Sequence, residues 1–319
     1  MNIILVYVSA MVGTLALGLA SKWVDRKVTA RIQYRVGPPW FQPVADVCKL
    51  LGKETLVPET ASRFVFLAAP LLGLTGAILA AAILWAGNGF QLLGSGNGPG
   101  FVGDVIAVYY LSTLPALAVI IGGTAAGSSI SALGASREMK MVLSYELPLI
   151  LVVAVALVKT GLATGAGQAV LRLNEIVGSQ AAHGDYLLSI SGAIAFIVGL
   201  MCVQAKLGLV PFDAAEAETE IIAGPYTEYS GPPLAVFHLT RAVMLAVMPI
   251  FLVTLLWGGF SWHGMGVLWS ILKYVAILVL IVLIRNTNPR VRIDQAMKFF
   301  WYLMTPLALI AVVLAVYGW

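Results

Sequence analysis

The chain has 319 residues, of which 60% are hydrophobic and 11% charged, with a formal net charge of +4. That is about half the charged share of a soluble domain, which excludes an ordinary water-soluble protein. The basic residues are not interleaved with aromatics in a polar segment, so nucleic acid is excluded as a partner as well. A bilayer core takes about 20 consecutive apolar residues per helical span, and the sequence supplies that length repeatedly. The expected fold is an all-α integral membrane protein, a single domain over 1–319 with about eight transmembrane helices.

The first span is expected at 3–21. Its apolar run, Ile3 to Ala20, has no basic region before it and is followed by Lys22, Trp23, Asp25, Arg26 and Lys27, so it reads as a retained span and not as a signal peptide. The next loop contains Arg35-Val-Gly-Pro-Pro-Trp-Phe-Gln-Pro43. After it Val44, Val47, Cys48 and Leu51 recur at i, i+3, i+4 and i+7. This spacing predicts a short amphipathic helix over 43–53, lying along the membrane or under a docked partner. Pro43 fixes its first turn, and Gly37-Pro38-Pro39 forces an extended turn before it. A basic loop resting on anionic lipid accounts for the same residues.

Further spans are expected at 64–86, 105–126 and 141–158. Gly122-Gly-Thr-Ala-Ala-Gly-Ser-Ser129 offers small residues that let backbones approach. Arg137, Glu138 and Lys140 precede the fourth span, and Glu146 lies just inside it. After a fifth span at 187–205 comes an acidic loop. It has no basic residue between Leu207 and Arg241, but holds Asp213, Glu216, Glu218, Glu220 and Glu228. A helix over Asp213 to Ala223 would set Asp213, Glu216 and Glu220 on one face. Crowded carboxylates raise one another's pKa and can take up and release protons; a solvated acidic loop is the plainer reading of these residues alone.

The remaining spans are expected at 235–256, 267–285 and 299–317. Arg241 falls about seven residues into the sixth, roughly 10 Å deep at about 1.5 Å per residue. An ionised side chain at mid-bilayer costs at least about 2.5–3.5 kcal/mol, so it calls for a partner or a water-filled path. Glu146 and the acidic loop are the available partners; a cation near a helix end can also snorkel to the surface.

Eight spans divide the loops into two sets. The odd-numbered loops hold fifteen Lys and Arg and the even-numbered ones only Lys159 and Arg172. The positive-inside rule therefore puts the odd loops in the cytoplasm and both termini outside the cell membrane. Cys48 and Cys202 are far apart, and His183, His238 and His263 are single, so the chain is expected to bind no metal and any redox centre to sit on a partner.

These residues resemble the H subunit of respiratory complex I and its relatives in energy-converting, membrane-bound nickel–iron hydrogenases. The likeness runs through Asp25-Arg26-Lys27 and Arg31, Arg35-x-Gly-Pro-Pro, Gln42-Pro43-x-x-Asp46-x-x-Lys49, Lys53-Glu54, Leu133-Gly-Ala-Ser-Arg137, Ser144-Tyr-Glu146, Pro211-Phe-Asp213, Glu216-x-Glu218-x-Glu220 and Glu228-Tyr-Ser-Gly231. The resemblance implies a non-catalytic anchor for a peripheral arm, with a proton path through Glu138, Glu146, Asp213, Glu216, Glu218, Glu220, Glu228 and Arg241. It implies docking of that arm by Arg26, Arg35, Gln42, Asp46, Lys49 and Lys53. The compact Gly37-Pro38-Pro39 turn and Arg137-Glu138-Met139 resemble the hydrogenase-type and sulfur-reducing branch. That branch implies hydrogenase-like large and small subunits carrying iron–sulfur clusters and a nickel–iron centre, antiporter-like membrane subunits, and ferredoxin as electron donor. A quinone-site subunit of complex I and a free-standing secondary ion transporter are the competing expectations.

Overall fold

The computed structural model describes residues 3–89, 102–165, 171–262 and 264–318, with the backbone alone for 3–7, 218 and 219; His263 lies outside the described residues. Among them the chain is helix and turn, with no strand. Helix α1 (Ile3–Ile32) has 30 residues and is thus about 45 Å long. It outruns the bilayer core, so its last turns carry Asp25, Arg26 and Arg31 into the loop layer. A turn with Gly37 at φ 78° leads into α2 (Gln42–Leu51), the expected amphipathic helix, with Pro43 in its first turn.

The second span is α3 (Arg63–Gly87). The third was expected as one helix and is two, α4 (Asp104–Leu111) and α5 (Leu114–Ala125). The break precedes Pro115, which lacks the N–H that would bond back to the Leu111 carbonyl. Helix α6 (Ser129–Ala163) has 35 residues. It therefore runs well beyond the apolar stretch 141–158 and brings Arg137 and Glu138 onto the same rod as Glu146. Helix α7 (Leu173–His183) was not anticipated; too polar to signal a span, it covers one end of the bundle. Then come α8 (Ile190–Lys206), the one-turn α9 (Glu218–Ile221) in the acidic loop, α10 (Gly231–Leu256) and α11 (Gly266–Thr287). The last span combines α12 (Ile293–Lys298), a π-helical turn at Phe299–Met304 and α13 (Thr305–Val316).

Six of these segments are long and apolar enough to cross a membrane, and α8 is a shorter apolar helix. Helix α1, whose first half is uncharged in sequence, stands where the first span is expected. Helix α10 is the hub, since every residue from Ala242 to Leu256 is buried. A helix apolar all round belongs at the centre of a bundle. At Gly18 of α1 an added Cβ would stand 2.8 Å from the Ala242 carbonyl oxygen, so glycine sets the spacing of α1 on α10.

Side-chain contacts divide the loops into the same two sets as the charges. Arg285 binds Asp25 at 2.8 Å, Arg290 binds Asp213 at 2.6 Å, and Arg137 pairs with Glu220, all between odd-numbered loops or their helix ends. At the other end Lys273 meets Asp185 at 3.7 Å, Gln180 accepts from the Gly258 N–H, and Asn88 accepts from the Phe260 N–H. No ion pair among the described residues joins the two sets.

Candidate functional site

The chain leaves α8 at Lys206 and re-enters the bundle at Gly231 through the acidic loop. Its backbone makes three short turns, at Ala214–Glu216, Glu218–Ile221 and Gly224–Tyr226. The single helix expected from Asp213 to Ala223 does not form. Ala217 is extended, and Ile222 takes φ 60°, a conformation β-branched residues rarely adopt. Tertiary contacts override local helix propensity here. The Ser131 hydroxyl donates to the Pro225 carbonyl at 3.1 Å, and the Tyr229 hydroxyl to the Phe66 carbonyl at 3.1 Å. The Tyr229 ring stacks on Phe66 at 4.0 Å. Gly122, Gly123 and Gly134 leave the room for Tyr229 and Pro225, so the small-residue run after the third span serves the loop as well as helix packing. Burial pushes the Tyr226 and Tyr229 phenols well above their usual range, leaving both as neutral anchors.

Because the loop is folded this way, Asp213, Glu216 and Glu220 do not share a face, and the expected row of crowded acids is replaced by separate ion pairs. Asp213 accepts from Arg290 Nε at 2.8 Å and Nη2 at 2.6 Å. Glu220 pairs with Arg137 of α6, and Glu216 with Arg241 of α10. Each carboxylate is thus tied to a different element, which converts repulsion within the loop into attraction across it. Glu228 is half-buried beside Tyr229 and has no ion pair among the described residues; of Glu218 the backbone alone is described.

Arg241 is the centre of this arrangement. Its guanidinium lies 4.4 Å from the Tyr226 ring centre, a cation–π contact, while Glu216 holds it from the side. With Glu138, Glu216, Tyr226 and Lys206 it lines a cavity of about 50 Å³ between α5, α6, α8 and α10. Of its two expected partners, the acidic loop supplies the contact and Glu146 does not. Glu146 lies deeper on α6, half-buried, with its charge felt by Lys206. By sequence Lys206 is merely one of the fifteen cations of the odd-numbered loops. Helix α8 has 17 residues, too few to carry its terminal lysine clear of the bundle, and that shortness is the signal that could have marked it.

On its other side Arg241 faces a cleft of about 920 Å³ between α1, α2 and α10. Five of the six residues expected to dock a partner, Arg26, Arg35, Asp46, Lys49 and Lys53, line this cleft. The sixth, Gln42, donates to Asp46 at 2.9 Å, and Arg26 clips the same carboxylate at 2.5 Å. The Arg26 hydrogen bond, with a smaller contribution from Gln42, holds the Asp46 carboxyl below its usual range. Asp25 is only 2% exposed and takes both Arg285 and Lys22. Arg35, Lys49 and Lys53 have no ion pair among the described residues, so the cleft presents net positive charge.

The family model described as NADH dehydrogenase matches residues 3–316. The H subunit of NADH-quinone oxidoreductase from Thermomicrobium roseum is 39% identical over 304 residues, 90% of this chain and 87% of that one. The same-named subunit from Syntrophotalea carbinolica is 35% identical over 323 residues, 97% of this chain and 93% of that one. Among solved structures, a chain of the membrane-bound sulfane sulfur reductase, an archaeal respiratory membrane complex, is similar with a TM-score of 0.84 and 26% identity. That match covers 99% of this chain and 100% of the other.

Proposed function

The chain belongs to the NADH dehydrogenase family, whose model spans residues 3–316, and within it we propose that this is the H-type membrane subunit that docks a peripheral electron-transfer arm and couples its redox chemistry to ion translocation. The complex is read as ferredoxin-linked and hydrogenase-like. Hydrogenase-like large and small subunits carry the iron–sulfur clusters and nickel–iron centre, and antiporter-like membrane subunits move the ion. The odd loops face the cytoplasm, and the chain ends face outward across the cell membrane.

One observation carries this reading: Arg241 walls both the docking cleft and the small cavity that holds Glu138 and Glu216. A cation shared between two sites couples them. Charge appearing at the cleft changes how firmly Arg241 holds Glu216, and hence the affinity of that carboxylate for a proton. Asp213, Glu220 and Glu228 extend the titratable surface toward the loop layer, Glu146 extends it into the membrane, and Glu218 is counted with them on the resemblance alone.

A second reading, a quinone-site subunit, is favoured by the volume of the cleft and by the names of the relatives. The walls argue for the first. Seven Lys and Arg line the cleft, whereas a neutral quinone calls for a largely apolar channel. Supplying the purified assembly with reduced ferredoxin, with and without quinone, separates the two. Sustained oxidation of ferredoxin without quinone is expected, together with nickel and iron in the preparation. Strictly quinone-dependent turnover would transfer the chain to the second reading.

A further inference from the structure

We propose that Lys206 is a proton-carrying residue of the coupling path, passing protons between the Glu138–Glu216 cavity and Glu146. This deepens the function proposed above and rests on it. Lys206 ends α8 and is 7% exposed. Its Nζ has no hydrogen-bond partner among the described residues, and the face of the Tyr109 ring lies against it at 4.9 Å. A buried ammonium without an acceptor is costly, and the dipole at the end of a helix offsets a small part of that cost. Packing alone does not account for a lysine here, since an apolar chain of similar length fills the same volume without desolvating a charge.

Position supplies the role. The Lys206 side chain lines the cavity of about 50 Å³ together with Glu138, Glu216 and Arg241, and that space has room for water. From deeper in the bundle the charge of Glu146 acts on it. Glu138 and Glu146 are eight residues apart on α6, about 12 Å along the axis at roughly 1.5 Å per residue, too far for direct transfer. Lys206 stands between the two levels: it lines the cavity with Glu138, and its ammonium rests on the ring of Tyr109, whose hydroxyl donates to the Glu146 carbonyl at 3.2 Å. The guanidinium groups of Arg137 and Arg241 cannot take this part, because they do not give up a proton, whereas a lysine amine does so when its surroundings disfavour charge. The arginines hold the acids in place, and the lysine is the cation that titrates.

The step is balanced. As a free amine Lys206 accepts a proton from the Glu138 or Glu216 carboxyl, directly or through water. As an ammonium it releases that proton toward the Glu146 carboxylate and is an amine again. One proton has moved, and no other bond has changed.

The test uses the whole complex in sealed liposomes, driven by reduced ferredoxin, or by NADH and quinone if the assay above requires them. Ions moved per electron are measured for Lys206→Gln, Lys206→Arg and Glu216→Gln. Loss of most translocation in both lysine variants, with electron transfer retained, is the expected result. Arginine keeps the charge and much of the bulk, so it carries the test if the glutamine variant fails to assemble. Full translocation in Lys206→Arg would reduce the residue to a fixed charge and overturn the proposal. Normal translocation in Lys206→Gln beside an uncoupled Glu216→Gln would overturn it and leave the coupling function standing. Normal translocation in Glu216→Gln would instead remove the reading beneath it.

Discussion

Asp46 shows how a single side chain holds one helix against another. Arg26 and Gln42 both bind its carboxylate, which joins α2 to α1, and the Arg26 bond depresses its pKa. A depressed folded pKa gives a contribution that is fully present above the unfolded value and is lost as pH falls through the folded one. The seating of α2 is therefore expected to be insensitive to pH from neutrality down to the ordinary carboxylate value and to loosen progressively as pH falls below it. Hydrogen exchange of the 42–51 amides, corrected for the intrinsic rate, measures this; the same pH dependence in Asp46→Asn would show that another group is responsible. At this scale the sequence disclosed which residues are charged and that Arg241 stands on the sixth apolar helix, but not how the charges pair. Glu216 and Glu220 stand four apart and go to arginines on different helices, a choice made by the fold of the loop and by no spacing within it.

The acidic loop illustrates, at the scale of the element, a local preference that loses to tertiary packing. Its sequence favours one helix, and its backbone is bent into three turns because Pro225 and Tyr229 must reach α6 and α3. Gly134 makes this possible, since a Cβ there would come within 2.6 Å of Pro225 Cδ. The neighbour is a rigid ring close to backbone and cannot yield cheaply. Gly134→Ala is expected to displace the loop, break the Arg137–Glu220 pair and weaken coupling. The measurement is hydrogen exchange over 207–231, predicted to rise; protection equal to wild type would refute the claim that this glycine seats the loop. The spans were legible because their apolar runs match the bilayer thickness. The break before Pro115, the extra length of α6 and the polar helix α7 were not, since none of them changes the length of an apolar run.

Across the whole molecule, ion pairs and hydrogen bonds tie the odd loops together at one end and the even loops at the other. This agrees with the excess of basic residues in the odd set and fixes the alternation of the spans. Cysteines placed at Lys53 and Glu175 are expected to react with a membrane-impermeant thiol reagent from opposite faces, Lys53 from the cytoplasmic one; labelling of both from one face would break the topology. The odd end also holds the cleft, the acidic loop and Arg241 between them, so the docking and the titration proposed above share one place. The central claim is that titration of the loop acids links redox turnover to ion movement. Its most direct measurement is the number of ions moved per electron by the intact complex in liposomes, compared between wild type and Glu216→Gln/Glu220→Gln. The amide keeps the volume and some hydrogen bonding while removing the titratable proton. The account predicts near-normal electron transfer with a clearly lower ratio; an unchanged ratio would contradict it and leave the loop as solvated charge that holds helices together.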